Sequence, residues 1–452
     1  MLSLTVLGAG PKAIAVQAKA HALRRMGLPA PEILVIDPQG VGGNWLSGGG
    51  WTNGHHLLGT SPMKDVGFPY RTRIVDPPDA HGTRPLNQEV DRFLFEVSWP
   101  QFLIDTSRYP SWVDRGHPAP RHREWAAYLT WVAERTDLNL LTGTIRTISV
   151  ISDPGRWSLE VHLNDGQQHH VASDALMITG PGTSSRRIAE LPQVHSLSSF
   201  WHTVTDGSLP EANRIAVIGG GESAASIINE LVRHPCQEIH VISPAATIFS
   251  RGESQFENSL YTEPTRWLTL DDTARRDVIS RTDHGVFSRR TQDLLHVDDR
   301  VSHLRGTAES AAQQGEFISI RITDPVLGTR EENFDLVVDA RGNSPTWFTE
   351  LMDEEVLTRL TAACAGVPTP ARVEERIGTD LSLTGVEPKL FLPTLSGLRQ
   401  GPGFANLSCL GELSDRVLAG LGVGMSTPDL ADEDGEPRIP TELSPTGCVE
   451  RT

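Results

Sequence analysis

The stretch that decides the fold is "IAVIGGGESAASI", Ile215–Ile227. Its apolar run Ile215–Ile218 has the length and composition of a buried strand. The glycines that follow make a turn, and from Glu222 the pattern becomes helical. The chain has the same arrangement near its start, "LTVLGAGPKAIAV", Leu4–Val16. Each turn is followed by a second apolar run, "EILVID" at Glu32–Asp37 and "EIHVIS" at Glu238–Ser243. Strand, glycine turn, helix and strand make a right-handed crossover unit with parallel strands. Further on, "DALMITGPG" (Asp174–Gly182) and "FDLVVDARG" (Phe334–Gly342) are buried strands ending in glycine. The expected architecture is therefore α/β, with two nested units.

Both turns carry the small-residue spacing that admits a dinucleotide. In the first, Gly8 makes the tight turn, Gly10 lets a pyrophosphate approach the backbone, Pro11 opens the helix, and Ala13 lets the helix pack on the strand. The helix N-terminus presents its positive end to the phosphates. Asp37 ends the next strand, where a carboxylate accepts from ribose hydroxyls. In the second turn Gly219, Gly221 and Ala224 repeat the pattern, with Ser223 in the first helical turn. Ser243 stands where the first unit has its acid, and Arg251 follows. A serine there tolerates a 2′-phosphate that a carboxylate would repel, which favours NADPH over NADH. Two such sites on one chain match the layout of a bound flavin, FAD, reduced by a nicotinamide nucleotide.

Composition narrows the class. The chain has 452 residues, 38% of them hydrophobic, and a net charge of −17. That charge excludes a nucleic-acid partner, since no basic stripe is available to neutralise phosphates. No apolar run approaches the ~20 residues of a membrane helix, and the opening residues lack a signal-peptide pattern. Cys236, Cys364, Cys409 and Cys448 are far apart with no CxxC spacing. This fits a reducing cytoplasm and excludes a dithiol redox centre. The Baeyer–Villiger fingerprint before the second turn is also absent; the segment there reads "LSSFWHTVTDG".

Four further stretches carry a resemblance: "HLLGTSPMKDVGFPYRT" (His56–Thr72), "PRHREWAAYLTWVA" (Pro120–Ala133), "SQFENSLYTEP" (Ser254–Pro264) and "GELSDRVLAGLGVG" (Gly411–Gly424). In order and spacing they resemble the N-hydroxylating flavin monooxygenases of L-lysine and L-ornithine, the siderophore type. The resemblance implies FAD- and NADPH-dependent hydroxylation of a side-chain amine with O2, by way of a flavin hydroperoxide. It implies that Lys64 holds the amino acid carboxylate, helped by Asn258, and that Asp283 and His284 fall in a substrate segment. It also places Trp45, Leu58, Leu413 and Ser414 around the flavin, with Ser414 close to the substrate amine as well. Ser414 has a second reading, as the N-cap of the helix that follows.

The pattern has departures. Leu58 and Gly59 replace the family's Met-Gln, Gly411 and Glu412 stand where it has a histidine, and "DARGN" (Asp339–Asn343) replaces ATGY. They make the chain a distant member and leave open an N-oxygenase of another amine or amino acid, or an S- or carbonyl-oxygenating relative. The expected domains are 1–205 (FAD, first part), 206–330 (NADPH), 331–426 (FAD and substrate, second part) and a disordered acidic tail at 427–452. The substrate region is expected at the interface of the two nucleotide domains. The expected partners are a small amine and O2, in a cytoplasmic homo-oligomer (dimer or tetramer) with no membrane association.

Overall fold

The structure, a computed structural model, describes residues 2–74, 86–153, 155–182 and 184–423; the tail at 427–452, with Cys448, lies outside the described residues. One sheet has seven strands, in the order Lys389–Phe391, Ala175–Ile178, Ser3–Leu7, Glu32–Asp37, Asn139–Ser152, Gly155–Leu163, Gln168–Ser173. Pairings among the first five are parallel, and the last two strands add in antiparallel fashion. Leu4, Val6, Val35, Leu176 and Met177 have no solvent exposure. Strands covered on both faces need such unbroken apolar runs. The first helix, Pro11–Arg25, starts on Gly10 and packs against Leu410–Gly420, so the two ends of the described chain share one core.

The second sheet has five parallel strands, in the order Val301–Arg305, Glu238–Ser243, Arg214–Ile218, Leu336–Asp339, Val194–Ser196. Two of them, Val194–Ser196 and Leu336–Asp339, fall outside the 206–330 expected for this unit. Leu336–Asp339 pairs directly beside Arg214–Ile218, so strand pairing widens the second unit at both ends. A three-stranded antiparallel sheet, Thr307–Gln314, Phe317–Asp324 and Gly328–Phe334, leads into it. Among the described residues no helix is long and apolar enough to cross a membrane, and no cluster of His, Cys, Asp and Glu could hold a metal.

A loop of the first unit is fastened to the helix of the second. Glu230, on helix Glu222–Leu231, accepts from Asn53 Nδ2 at 3.0 Å, and its Oε2 lies 2.9 Å from His56 Nε2. Its other oxygen lies 3.2 Å from His234. Trp51 packs against the second unit's core, and His56 meets the Trp201 ring edge-on at 5.4 Å. Burial alone raises a carboxyl pKa. Here the hydrogen bonds and charges of His56, His234 and Arg233 override it and bring Glu230 down to about 2. Glu230→Gln should lower stability at pH 7 by about 1.5–3 kcal/mol, the range for hydrogen bonds to charged groups. A carboxyl depressed in the folded state stabilises above its unfolded pKa of 4.5 and loses that contribution as pH falls towards 2. Denaturant titrations of both proteins should therefore show the gap closing as pH drops below about 4.5. A gap unchanged by pH would contradict a clamp built on the Glu230 carboxylate.

Candidate active site

The first glycine turn and the start of the helix that follows the second turn face one cleft of about 470 Å³. Gly8, Gly10, Pro11, Asp37, Trp45 and Leu58 line it from the first unit; Glu222, Ser223, Ser226 and Arg251 line it from the second. The glycines separate by role. Gly8 and Gly219 have φ of +96° and +135°, and a Cβ on either would come within 2.7 Å of Thr179 Oγ1 or Ala340 O. The fold itself demands glycine there. Gly10 and Gly221 are different. Their φ values of −87° and −106° suit any residue, and a Cβ would meet nothing within 4 Å at Gly10 and only Gly285 N at 4.0 Å at Gly221. Neither conformation nor crowding calls for glycine at these helix N-termini. The open space in front of each suits the close approach of a pyrophosphate.

Asp37 is preset. Its two oxygens accept from Ala9 N at 2.9 Å and Gln39 N at 2.7 Å, which holds the carboxylate at the cleft wall with lone pairs left for ribose. Ala13 and Ala224 are fully buried and serve packing. Trp45 stands edge-on to His122 at 5.0 Å, and both line the cleft. Burial, helped by the charge of His56, lowers the His122 pKa to about 4, so the ring is neutral near pH 7. His122 lies in the quoted helix segment, but its spacing carried no sign that it would face the cleft.

Lys64 and Asn258, 194 positions apart, meet: Lys64 Nζ donates to Asn258 Oδ1 at 2.8 Å. The neighbouring Asp65 turns inward and anchors the loop, accepting from Trp99 N at 2.8 Å and Tyr70 Oη at 2.7 Å, which leaves Lys64 on the opposite side. Asn258 is on helix Gln255–Thr262, whose cap is Ser254 with Glu257. The ammonium also sits 4.7 Å from the centre of the Tyr261 ring. Burial lowers its pKa. All of these contacts are neutral, and among the described residues no carboxylate pairs with Lys64 at ion-pair distance. A cation so held keeps its capacity for an anionic ligand group.

Lys64 and Asn258 are not among the residues that line the cleft, and several other expected residues also sit elsewhere. Leu413 and Ser414 are fully buried inside helix Leu410–Gly420 and line no part of the cleft. The Ser414 hydroxyl donates to Gly411 O at 2.8 Å, and the helix starts from Cys409, so Ser414 is not its N-cap. Asp283 and His284 open onto a neighbouring cavity of about 290 Å³ with Arg276 and Glu374, which shares Thr394 and Ala405 with the main cleft. The Ser243 hydroxyl lies 2.9 Å from His303 Nε2 on the adjacent strand and is already engaged. Arg251 faces the flavin-side cleft, with Nε buried and unpartnered.

The departure at Gly59 has a structural counterpart. A Cβ there would stand 2.8 Å from Glu222 Oε1, so the carboxylate of the second unit's helix occupies the space that the missing side chain leaves. Burial raises the Glu222 pKa, against the charges of Arg251 and Arg290. Arg290 in turn donates to the Leu58 carbonyl.

Comparison with known proteins identifies the family. The family model for L-lysine 6-monooxygenase/L-ornithine 5-monooxygenase matches residues 96–297. The chain is 48% identical to the L-lysine N6-monooxygenase MbtG of Mycobacterium tuberculosis, over 94% of this chain and 96% of the relative. The solved lysine monooxygenase NbtG from Nocardia farcinica is 47% identical and superimposes with a TM-score of 0.81, covering 92% of this chain and all of that one. The Kutzneria ornithine N-hydroxylase KtzI, solved with reduced FAD, NADP+ and L-ornithine, shares the fold at 16% identity and a TM-score of 0.67, covering 93% of this chain and 99% of its own. With near-half identity along almost its whole length, the chain belongs to the L-lysine 6-monooxygenase/L-ornithine 5-monooxygenase family.

Proposed function

We propose that this chain hydroxylates the side-chain amine of L-lysine, using FAD, NADPH and O2. The observation that carries the reading is the cleft lined both by the first glycine turn and by the start of the second unit's helix, since a flavin and its reductant must meet face to face. Lysine is preferred to ornithine because relatives at 46–48% identity are named for lysine. Bound flavin, once reduced, supplies oxygen activation that side chains lack. The chain's own work is placement. Gly10 and Gly221 leave room for phosphates, Asp37 takes ribose hydroxyls, and Lys64 with Asn258 receives the amino acid carboxylate. Trp45, Trp51, Leu58 and Leu407 give the cleft apolar walls that limit water. The reacting amine must be neutral, so turnover rises with pH towards the ordinary value for a lysine side chain, about 10.4.

The two open-space glycines separate the nucleotides experimentally. Gly10→Ala should reduce FAD occupancy, while Gly221→Ala should keep FAD but slow its reduction by NADPH. Both should stay folded and lose only about 1 kcal/mol of stability, because alanine is a poorer N-cap than glycine. Stopped-flow reduction and flavin content measure this. FAD loss in Gly221→Ala instead would exchange the two assignments.

Lys64→Ala should raise KM for L-lysine by roughly 10- to 150-fold, the equivalent of about 1.5–3 kcal/mol for a charge-assisted contact. Flavin reduction without amine should be unaffected. The decarboxylated diamine should be a poor substrate for wild type, and the variant should discriminate less between the two amines. Steady-state kinetics with hydroxylamine and hydrogen peroxide counted separately tests this; an unchanged KM and unchanged coupling would remove Lys64 from the site.

A further inference from the structure

Helix Pro11–Arg25 buries two lysines, and the structure treats them differently. Lys19, 1% exposed, places Nζ 2.5 Å from Asp415 Oδ1 and 2.7 Å from Gly411 O, a complete ion pair. Lys12, 7% exposed, donates to Ala405 O at 2.7 Å, and among the described residues no carboxylate pairs with it at ion-pair distance. The groups that favour its charge are weak partners. Asp283 accepts from Asn406 through Oδ1, and its unpartnered Oδ2 does not come within ion-pair distance of Lys12; burial keeps the Cys409 thiol protonated. Burial lowers the Lys12 pKa to about 8. A buried cation without a counter-ion is costly and is not retained for stability. Position also separates the two lysines: Lys12 lines the main cleft directly after Gly10 and Pro11, and Lys19 does not.

We propose that Lys12 is the counter-ion for the negative charge of the bound flavin dinucleotide. This rests on the flavin reading of the cleft: the anion that the protein does not supply is brought by the ligand. Two parts of that ligand have the required chemistry, the pyrophosphate and the isoalloxazine, which gains negative charge on reduction.

The test uses the FAD-loaded enzyme and the variants Lys12→Met, Lys12→Gln and Lys12→Arg. Glutamine can still donate to Ala405 without a charge, so it separates charge from packing if Met does not fold. The readouts are FAD dissociation on dilution and the two-electron midpoint potential. Pairing with the pyrophosphate predicts a roughly tenfold higher Kd for FAD in Lys12→Met and Lys12→Gln. Pairing with the reduced ring predicts little change in that Kd and a potential lower by about 30 mV, the equivalent of tenfold for two electrons. Lys12→Arg restores either one. Lys19→Met should lower thermal stability and move neither readout. Unchanged Kd and potential in both neutral variants, or an arginine as defective as methionine, would overturn the proposal. A wild type that holds no FAD would instead overturn the reading beneath it.

Discussion

Everything at the site depends on the loop of residues 51–60 being held against the helix Glu222–Leu231. Glu230 reaches Asn53 and His56 across the unit boundary, and Arg290 reaches the Leu58 carbonyl. These contacts hold the start of the second unit's helix, with Glu222 and Ser223, at the cleft that begins at the first glycine turn. The clamp rests on a carboxylate largely out of water, so its geometry is fixed more firmly than exposed pairs allow. It also explains how Glu222 can fill the space beside Gly59 from another sheet.

Three lysines form a graded set. Lys19 is fully paired and belongs to the core. Lys64 is held by an amide oxygen and an aromatic face. Lys12 has one backbone carbonyl. The fewer protein anions a lysine has, the more its burial calls for an anion from outside. In a protein with a net charge of −17, Lys12 is a buried cation at the cleft without a protein anion, a local attraction for anionic ligand groups.

Much of this was legible in the sequence because it is local. A glycine turn between an apolar strand and a helix is read within a dozen residues, and both turns are where the pattern puts them. Lys64 and Asn258 were paired by resemblance, which spans the 194 positions that spacing cannot. What was not legible is long-range or depends on helix phase. Leu336–Asp339 joins the second sheet because a parallel strand can insert from a distant part of the chain. Leu413 and Ser414 lie in the right segment, but their helix turns them into the core. Ser243 was read from its strand end alone, and its partner His303 comes from a neighbouring strand. Lys12 stands in plain view in the first turn, yet what distinguishes it from Lys19, its place in the cleft wall and its burial without a carboxylate, appears only in the folded structure.

The central claim is that both nucleotides act in one cleft to place an oxygen atom on the lysine side-chain nitrogen. The most direct measurement is mass spectrometry of the product formed from L-lysine, NADPH and isotopically labelled O2. The account predicts N6-hydroxylysine carrying a single oxygen atom derived from O2. NADPH consumption that yields peroxide alone, with no labelled hydroxylamine at any lysine concentration, would contradict it.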